Sequence, residues 1–393
     1  MKTLFLTLSL LFGSTCMYAQ WAQTTNTKSK TLVYNGGRLI GGGGGAGGIL
    51  ISDDEGTTWT ASNSGVPAWM QNDIDPKLAI GDTIFAVAIN KLLVSADNGN
   101  TWAEGTTTLP AASIISIVHY DGSVIYVCYQ DGKVYASTNR GTTFSLKGNI
   151  GIYPVVMASY NGALYAGTNG AQGMYKSTDG GATWAAANTG IDAADRQVYA
   201  LNIFAGSMYM GTYSGKIYKM DAATSAWTKI YTGSPMRDLH NVNNAIMAAT
   251  DNGYAASLDN GVTWSASNAG LSGLDLYFLH IYASSSNVFV TKFYGGVLKR
   301  SFADLGIGST TGISTIGNKG SITFYPNPAT NWINANNLTG PFSYCILDVT
   351  GQVRATATVN KGNTIDISSL AAGIYLINIS STTGVYTSKI FKQ

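Results

Sequence analysis

An eight-residue phrase that returns at a nearly constant interval constrains this chain more than any other feature. The phrase reads SDDEGTTW at residues 52–59 and returns, with small changes, at 95–102, 137–144, 177–184 and 257–264. Successive first serines are 43, 42, 40 and 80 residues apart, so the spacing predicts one degenerate copy in the last interval. We assign that copy to KMDAATSAW at 219–227, which keeps an acidic residue and the final tryptophan. A period of about 40 residues predicts an architecture of repeated units.

Each repeat carries four short stretches with the alternation of β-strands, as at 155–160, 163–168, 173–177 and 184–188. Four strands per repeat of about 40 residues is the pattern of a β-propeller blade. Seven third strands are predicted, ending at 52, 95, 137, 177, 219, 257 and 299. The sequence therefore predicts an all-β fold whose main part is a seven-bladed β-propeller.

The last repeat lacks its fourth strand. The segment WAQTTN at 21–26 has the same pattern as 184–188 and 264–268, which follow a phrase in complete repeats. We predict that the N-terminal segment supplies the outer strand of the final blade, which would close the ring and remove an exposed sheet edge.

The phrase has the residue types of a tight turn. Asp and Asn side chains accept hydrogen bonds from nearby backbone amides, glycine adopts positive φ, and tryptophan packs between blades. Ser-x-Asp-x-Gly-x-Thr-Trp resembles the Asp-box of sialidase-type propellers, which implies a structural turn between third and fourth strands, on the face away from the ligand site. The residues to which this structural role would apply are Asp54, Trp59, Asp97, Trp102, Asn139, Phe144, Asp179, Trp184, Asp259 and Trp264.

Composition excludes several function classes. Charged residues are 11% of the chain against a typical ~25%, and the net charge of +2 comes from no local run, so nucleic-acid binding is not expected.

Residues 1–20, with Lys2 followed by an apolar stretch, are predicted to be a secretory signal peptide. Beyond it, no apolar run reaches the ~20 residues of a membrane span.

The C-terminal residues form a second predicted domain. After a polar linker at 306–318, the chain contains FYPNPAT at 324–330, ILDVTGQV at 346–353, IDISSLAAGIY at 365–375 and SKIFKQ at 388–393. The strand pattern of 319–393 predicts a small Ig-like antiparallel β-sandwich of about seven strands. The four blocks, in this order, resemble the type A sorting domain of the type IX secretion system of Bacteroidota. A carbohydrate-binding sandwich is the alternative.

That resemblance implies that residues 319–393 engage the type IX secretion machinery. The protein would then be secreted, extracellular or attached to the outer-membrane surface after removal of the signal peptide. The predicted domains are therefore the signal peptide at 1–20, the propeller at 21–305, the linker at 306–318 and the sorting domain at 319–393.

Sialidase chemistry is not expected on this propeller. It would require three arginines and a tyrosine nucleophile activated by a glutamate. Of the five propeller arginines, only Arg196 and Arg237 fall on the predicted ligand-face loops. The chain has two glutamates, Glu55 and Glu104, and both lie in or beside a phrase.

The candidate functional residues lie on loops that enter the first strand of each blade or join its second and third strands. Flat rings and sparse hydrogen-bonding groups favour sugar or peptide binding, which makes the binding candidates Trp69, Tyr153, Arg196, Tyr213, Arg237 and Tyr294. Two aspartates could act as the acid and base of a glycosidase, and these candidates are Asp73, Asp75, Asp192, Asp195, Asp238 and Asp275. We expect no cofactor and no metal site, because His119, His240 and His280 fall in different repeats.

Three functional hypotheses follow. The first is a non-catalytic module, expected to be monomeric, that binds a glycan or a protein. The alternative is a glycoside hydrolase that uses two ligand-face aspartates. A third hypothesis is an assembly factor, because some Asp-box propellers bind partners without catalysis.

Overall fold

The structure is a computed structural model that describes residues 20–25, 27, 29–42, 47–105, 108–110, 113–308, 323–336, 340–348, 353–381 and 384–393. The chain divides into two compact units, residues 1–308 and 309–393. The predicted signal peptide lies outside the described residues except for Gln20, and so does the linker beyond Gly308.

The described strands of the first unit form seven four-stranded antiparallel sheets, which are the blades of a β-propeller. The innermost strands of blades 1 to 7 are Thr31–Asn35, Ile74–Ile80, Ile115–Tyr120, Pro154–Tyr160, Val198–Phe204, Met236–Val242 and Phe278–Ala283. The second strands are Arg38–Gly42, Thr83–Ala88, Ile125–Tyr129, Ala163–Thr168, Ser207–Thr212, Ala245–Thr250 and Asn287–Lys292. The third strands are Leu50–Ser52, Lys91–Ser95, Lys133–Ser137, Met174–Ser177, Lys216–Met220, Gly253–Ser257 and Val297–Ser301. The outer strands are Thr60–Ala61, Ala103–Glu104, Ser145–Asn149, Ala185–Ala186, Trp227–Thr232, Ser265–Ala266 and, for blade 7, Ala22–Thr25.

The innermost strands contact one another in chain order, and the innermost strand of blade 7 contacts that of blade 1. This closes the ring around a central channel. Short helices interrupt the connections at Ala68–Met70, Ala193–Asp195, Gly273–Leu276 and Phe302–Leu305. The predicted all-β propeller fold is confirmed.

The N-terminal strand closes the ring as the sequence predicts. Ala22 pairs with Lys299 on the third strand of blade 7. Trp21 is buried, its ring centroid lies 5.5 Å from that of Tyr254 and 5.8 Å from that of Phe278, and its Nε1–H donates to Ser267 O at 2.8 Å. The two ends of the propeller are therefore joined by a shared sheet and a shared core.

The repeated phrase forms the connection between third and outer strands. In blade 4, Asp179 accepts the backbone N–H and hydroxyl of Thr183 and the hydroxyl of Ser177, while the Gly181 N–H donates to Ser177 Oγ. Two successive residues adopt positive φ in this turn, and the second of them is glycine in all five copies of the phrase. In blade 3, Gly141 has φ +83°, and a Cβ at this position would lie 2.8 Å from the Phe85 ring. The degenerate copy turns in a similar way: Asp221 accepts the Thr224 N–H at 2.8 Å.

Blade cores consist of second strands that are buried from their second residue onwards and of aliphatic and aromatic side chains between adjacent sheets. The second strands of blades 4 and 6 are completely buried. Burial of apolar side chains on both sheet faces is the main contribution to propeller stability.

The C-terminal unit has two antiparallel sheets that share one apolar core containing Ile333, Ile346, Ile365 and Ile377. One sheet contains Thr323–Tyr325, Trp332–Asn336 and Thr364–Asp366, and the other contains Phe342–Asp348, Val353–Val359, Gly373–Ser381 and Gly384–Lys392. Phe342–Asp348 pairs with Val353–Val359, and the connection at 349–352 is outside the described residues.

Candidate ligand-binding face

The propeller has two chemically different faces. The turn face contains the phrases and the turns between first and second strands; there Arg38 pairs with Asp53, and Asn35 Nδ2 donates to Asn98 Oδ1 at 2.8 Å. The loop face contains the connections that enter the first strands and those that join second and third strands. All twelve candidate residues lie on the loop face or at the channel entrance beside it, because strand direction alternates within each blade.

Arg237 is the centre of a cluster on the loop face. Its Nε and Nη2 donate to the two carboxylate oxygens of Asp251 at 2.6 and 2.9 Å. The guanidinium carbon lies 4.8 Å from the ring centroid of Tyr213 and 5.9 Å from that of Tyr199. Hydrogen bonding to Asp251 raises the pKa of Arg237. A bidentate pair beside two rings fixes both the charge and the aromatic surface in place.

Amide and tyrosine side chains extend this cluster towards blade 3. Tyr199 Oη donates to Asn169 Oδ1 at 3.1 Å, Gln197 Nε2 donates to the same oxygen at 3.0 Å, and Gln130 Nε2 donates to Tyr153 Oη at 3.1 Å. These contacts place side chains from blades 3 to 6 on one polar and aromatic surface. Sequence reasoning included Tyr153 but missed the amide side chains.

Arg196 lies beside this surface, at the end of the short helix Ala193–Asp195. Its Nε is buried and has no hydrogen-bond partner among the described residues.

Blade 7 carries a separate aromatic group. The ring centroid of Tyr294 lies 5.0 Å from that of Phe293 and 6.0 Å from that of Tyr277. Tyr294 is 59% exposed and Phe293 is 51% exposed. Trp69, on the loop between blades 1 and 2, is 60% exposed. Exposed aromatic side chains therefore occur in several sectors of the loop face.

Five of the six candidate carboxylates have a lysine partner, including Asp195, whose Oδ2 lies 3.6 Å from Lys229 Nζ. Asp73 pairs with Lys30, Asp75 Oδ2 lies 3.7 Å from Lys77 Nζ, and Asp275 accepts a 2.8 Å hydrogen bond from Lys292. Asp192 pairs with Lys229 at 2.5 Å. These pairs leave little net charge on the face.

Asp192 and Asp195 are two candidate carboxylates that share a tyrosine and a lysine partner. Tyr218 Oη lies 2.6 Å from Asp195 Oδ2 and 3.4 Å from Asp192 Oδ2. Burial acts to raise the pKa of Asp195, but hydrogen bonds from Tyr218 and Ser214 outweigh it, and the net pKa is lowered. A general acid needs the opposite shift.

The remaining carboxylate, Asp238, lines the channel near the loop face. Its Oδ2 lies 3.2 Å from His280 Nε2 and accepts the Ile281 N–H at 3.0 Å. Burial raises the pKa of Asp238 to about 6, and burial lowers the pKa of His280 to about 4. The neutral imidazole can therefore donate to the carboxylate at neutral pH.

Sequence reasoning compared the histidines only with one another and missed these partners. A usable signal was present: Asp238 and His280 are 42 residues apart, close to one repeat, and occupy corresponding positions in adjacent innermost strands. The same spacing joins His119 to Ser159, 40 residues later. Across the described residues, no group of three or more His, Cys, Asp or Glu side chains could hold a metal ion.

Comparison with known families supports two parts of this architecture. Residues 323–393 match the secretion system C-terminal sorting domain, and residues 78–197 match the DUF6242 beta propeller domain. The chain thus consists of a β-propeller and a C-terminal sorting domain of the type IX secretion family, which marks it as a secreted or cell-surface protein that engages the secretion machinery. No helix in the described part of the chain is long and apolar enough to cross a membrane.

Individual proteins resemble parts of the chain. A xyloglucanase of Paenibacillus sp is 27% identical over 222 residues, covering 43% of this chain and 21% of the xyloglucanase. YCF48 from Cyanidioschyzon merolae has a TM-score of 0.57 at 16% identity and covers 72% of this chain and 99% of its own. PorZ of Porphyromonas gingivalis, a surface component of the type IX secretion system, has a TM-score of 0.57 at 15% identity, covering 93% of this chain and 59% of PorZ. At these identities the two structures share the fold with this chain.

Proposed function

We propose that this protein is a secreted, non-catalytic module that binds a neutral glycan on the loop face of its propeller. The observation that carries the proposal is the Arg237 cluster, in which a guanidinium held by Asp251 lies against the rings of Tyr199 and Tyr213. Tyr213 remains 38% exposed, so one wall of the cluster is open to a ligand.

The chemistry of the cluster matches a sugar. Rigid aromatic side chains provide flat apolar surface for a sugar ring, while amides and hydroxyls supply directional hydrogen bonds. Because Asp251 neutralises Arg237 and lysines neutralise neighbouring aspartates, the face favours an uncharged ligand over an anionic one. The similarity of part of the chain to a xyloglucanase supports a β-linked glycan.

The candidate carboxylates argue against hydrolysis on this face. Canonical glycosidases need one protonated and one ionised carboxyl group on opposite sides of the scissile bond. Asp192 and Asp195 share contacts with Lys229 and Tyr218, and the pKa of Asp195 is lowered.

A glycoside hydrolase remains the second candidate, favoured by Asp238. A pKa of about 6 is suited to a general acid near neutral pH. This alternative predicts release of reducing ends by the wild-type chain and its loss in Asp238→Asn. No release of reducing ends from any neutral polysaccharide would eliminate it.

A glycan array with the labelled mature chain tests the proposed function. We expect binding to neutral β-linked oligosaccharides, weakened by Tyr213→Ala. Val262→Ala is the matched control, because Val262 is 78% exposed on the turn face. Absence of binding to every glycan, or equal binding by the two variants, would overturn the proposal. Binding to peptides instead would favour the protein-ligand alternative.

A further inference from the structure

A cavity of about 460 Å³ lies at the turn face, where the innermost strands of blades 3, 4 and 5 end. The Arg237 cluster lies at the other end of the innermost strands, on the loop face. The size of the cavity is within the usual range of small-molecule sites, roughly 300–1,000 Å³. Its lining includes the polar side chains of His119, Ser159 and Asn202.

These polar groups retain hydrogen-bonding capacity. His119 Nε2 and Ser159 Oγ are 2.6 Å apart, which uses one donor and one acceptor and leaves further capacity on the serine hydroxyl. Asn202 Nδ2 donates to Leu239 O at 3.2 Å, whereas Asn202 Oδ1 is buried and has no hydrogen-bond partner among the described residues. A ligand hydroxyl could form a hydrogen bond with the Ser159 hydroxyl, whereas Asn202 Oδ1 is enclosed by protein.

No lysine or arginine is among the described residues that line the cavity. Burial lowers the pKa of His119 to about 4, so its imidazole is neutral at neutral pH. The carboxylate of Asp121, also in the lining, accepts hydrogen bonds from Ser123, Val124 and Tyr126 in its own turn and strand. An anionic ligand would therefore find no cationic side chain among the described lining residues.

Apolar side chains complete the lining. Met157, Leu201 and Ile203 lie beside the polar groups, and Ile203 is partly exposed at the entrance. We propose that this cavity is a second binding site, separate from the loop face, which takes one neutral sugar ring or a similar cyclic polyol. Hydroxyl groups of the ligand would form hydrogen bonds with Ser159, and its apolar face would pack on the aliphatic wall.

Binding fits this site better than nucleophilic catalysis. The 2.6 Å distance between His119 Nε2 and Ser159 Oγ is within the range found between a general base and its nucleophile. However, an imidazole with a pKa near 4 is a weak base at neutral pH, so it would activate the serine poorly.

Saturation-transfer NMR on the mature chain, with methyl β-xyloside and methyl β-glucoside as probes, tests the proposal. We expect saturable binding that falls more than tenfold in Ile203→Trp, which fills the entrance. Ser159→Ala should weaken binding by up to about tenfold through loss of one hydrogen bond. Leu146→Trp is the matched control, since Leu146 is exposed on the outer strand of blade 3.

Tyr213→Ala changes the loop face and should leave monosaccharide binding at this cavity unchanged. The second site and the proposed glycan binding on the loop face can therefore be tested separately. A cooperative thermal unfolding transition, measured for each variant, shows that the variant is folded before heating. No saturation transfer in the wild type, equal transfer in Ile203→Trp, or loss in Tyr213→Ala would each overturn this site.

Discussion

Glu55 of blade 1 accepts a 2.5 Å hydrogen bond from the hydroxyl of Ser284 in blade 7, so a side chain from the first phrase joins the first and last blades. The same carboxylate accepts from Asn287 at 3.1 Å, and the Glu55 carbonyl accepts from Lys299 at 2.9 Å. The ring is therefore closed on its turn face by polar contacts, in addition to the strand formed by Ala22–Thr25.

Replacing Glu55 tests this polar closure. We expect Glu55→Ala to lower the free energy of unfolding by about 1.5–3 kcal/mol, because hydrogen bonds to charged groups contribute about that much and Ser284 is buried. Glu104→Ala is the control, since Glu104 forms an exposed pair with Lys91 worth less than about 1 kcal/mol. Equal effects of the two variants in urea unfolding would contradict the role of Glu55.

The apolar part of the closure depends on Trp21. Trp21→Ala should destabilise the propeller by about 3–5 kcal/mol, because it removes a buried ring that packs on Tyr254 and Phe278. Trp69→Ala, at an exposed position, should change stability by less than about 0.5 kcal/mol. Chemical unfolding followed by circular dichroism distinguishes them, and comparable losses would show that the N-terminal strand does not close the ring.

The phrase can be tested at Asp97, which accepts the N–H and the hydroxyl of Thr101. Asp97→Ala should lower Tm more than Asp97→Asn, because an amide oxygen can still accept the backbone bond. Blade 3 already contains this variation: Asn139 Oδ1 accepts the Thr143 N–H at 3.0 Å. If both substitutions lower Tm equally, the turn depends on the charge of the aspartate and not on its hydrogen bonds.

Asp238 predicts a specific pH dependence. Its pKa is raised to about 6 in the folded protein from a model-peptide value of about 3.9, so the folded state binds a proton more tightly. Ionised Asp238 therefore lowers stability above pH 6, and this cost is relieved as the pH falls towards 4. Asp238→Asn should be more stable than the wild type at pH 7.5, with a difference that shrinks towards pH 4.5. A difference that stays constant across this range would show that Asp238 has an ordinary pKa.

Much of the fold follows from the sequence because every blade of a propeller repeats the same local sequence pattern. The spacing of the phrase sets the blade length, strand alternation identifies the sheets, and the similarity of the Trp21 segment to later outer strands identifies the closing strand. The third strands of blades 5 and 7 end at Met220 and Ser301, one or two residues beyond the predicted ends.

The candidate site was less predictable, because its contacts join different blades. The loop face was identified from strand direction, and Arg237 and Tyr213 were among the expected residues. The Asp238–His280 pair depends on the registers of neighbouring innermost strands, and the Asn169–Tyr199 hydrogen bond joins a loop of blade 4 to the innermost strand of blade 5. A shift of one residue in either strand would turn the side chain to the other sheet face, so exact partners require the structure.

Isothermal titration calorimetry with xyloglucan oligosaccharides, combined with an assay for reducing ends, tests the central claim most directly. We predict saturable binding by the mature chain without release of reducing ends, weakened about tenfold or more in Tyr213→Ala and unchanged in Val262→Ala. Absence of binding, or steady release of reducing ends that is lost in Asp238→Asn, would contradict a non-catalytic glycan-binding propeller.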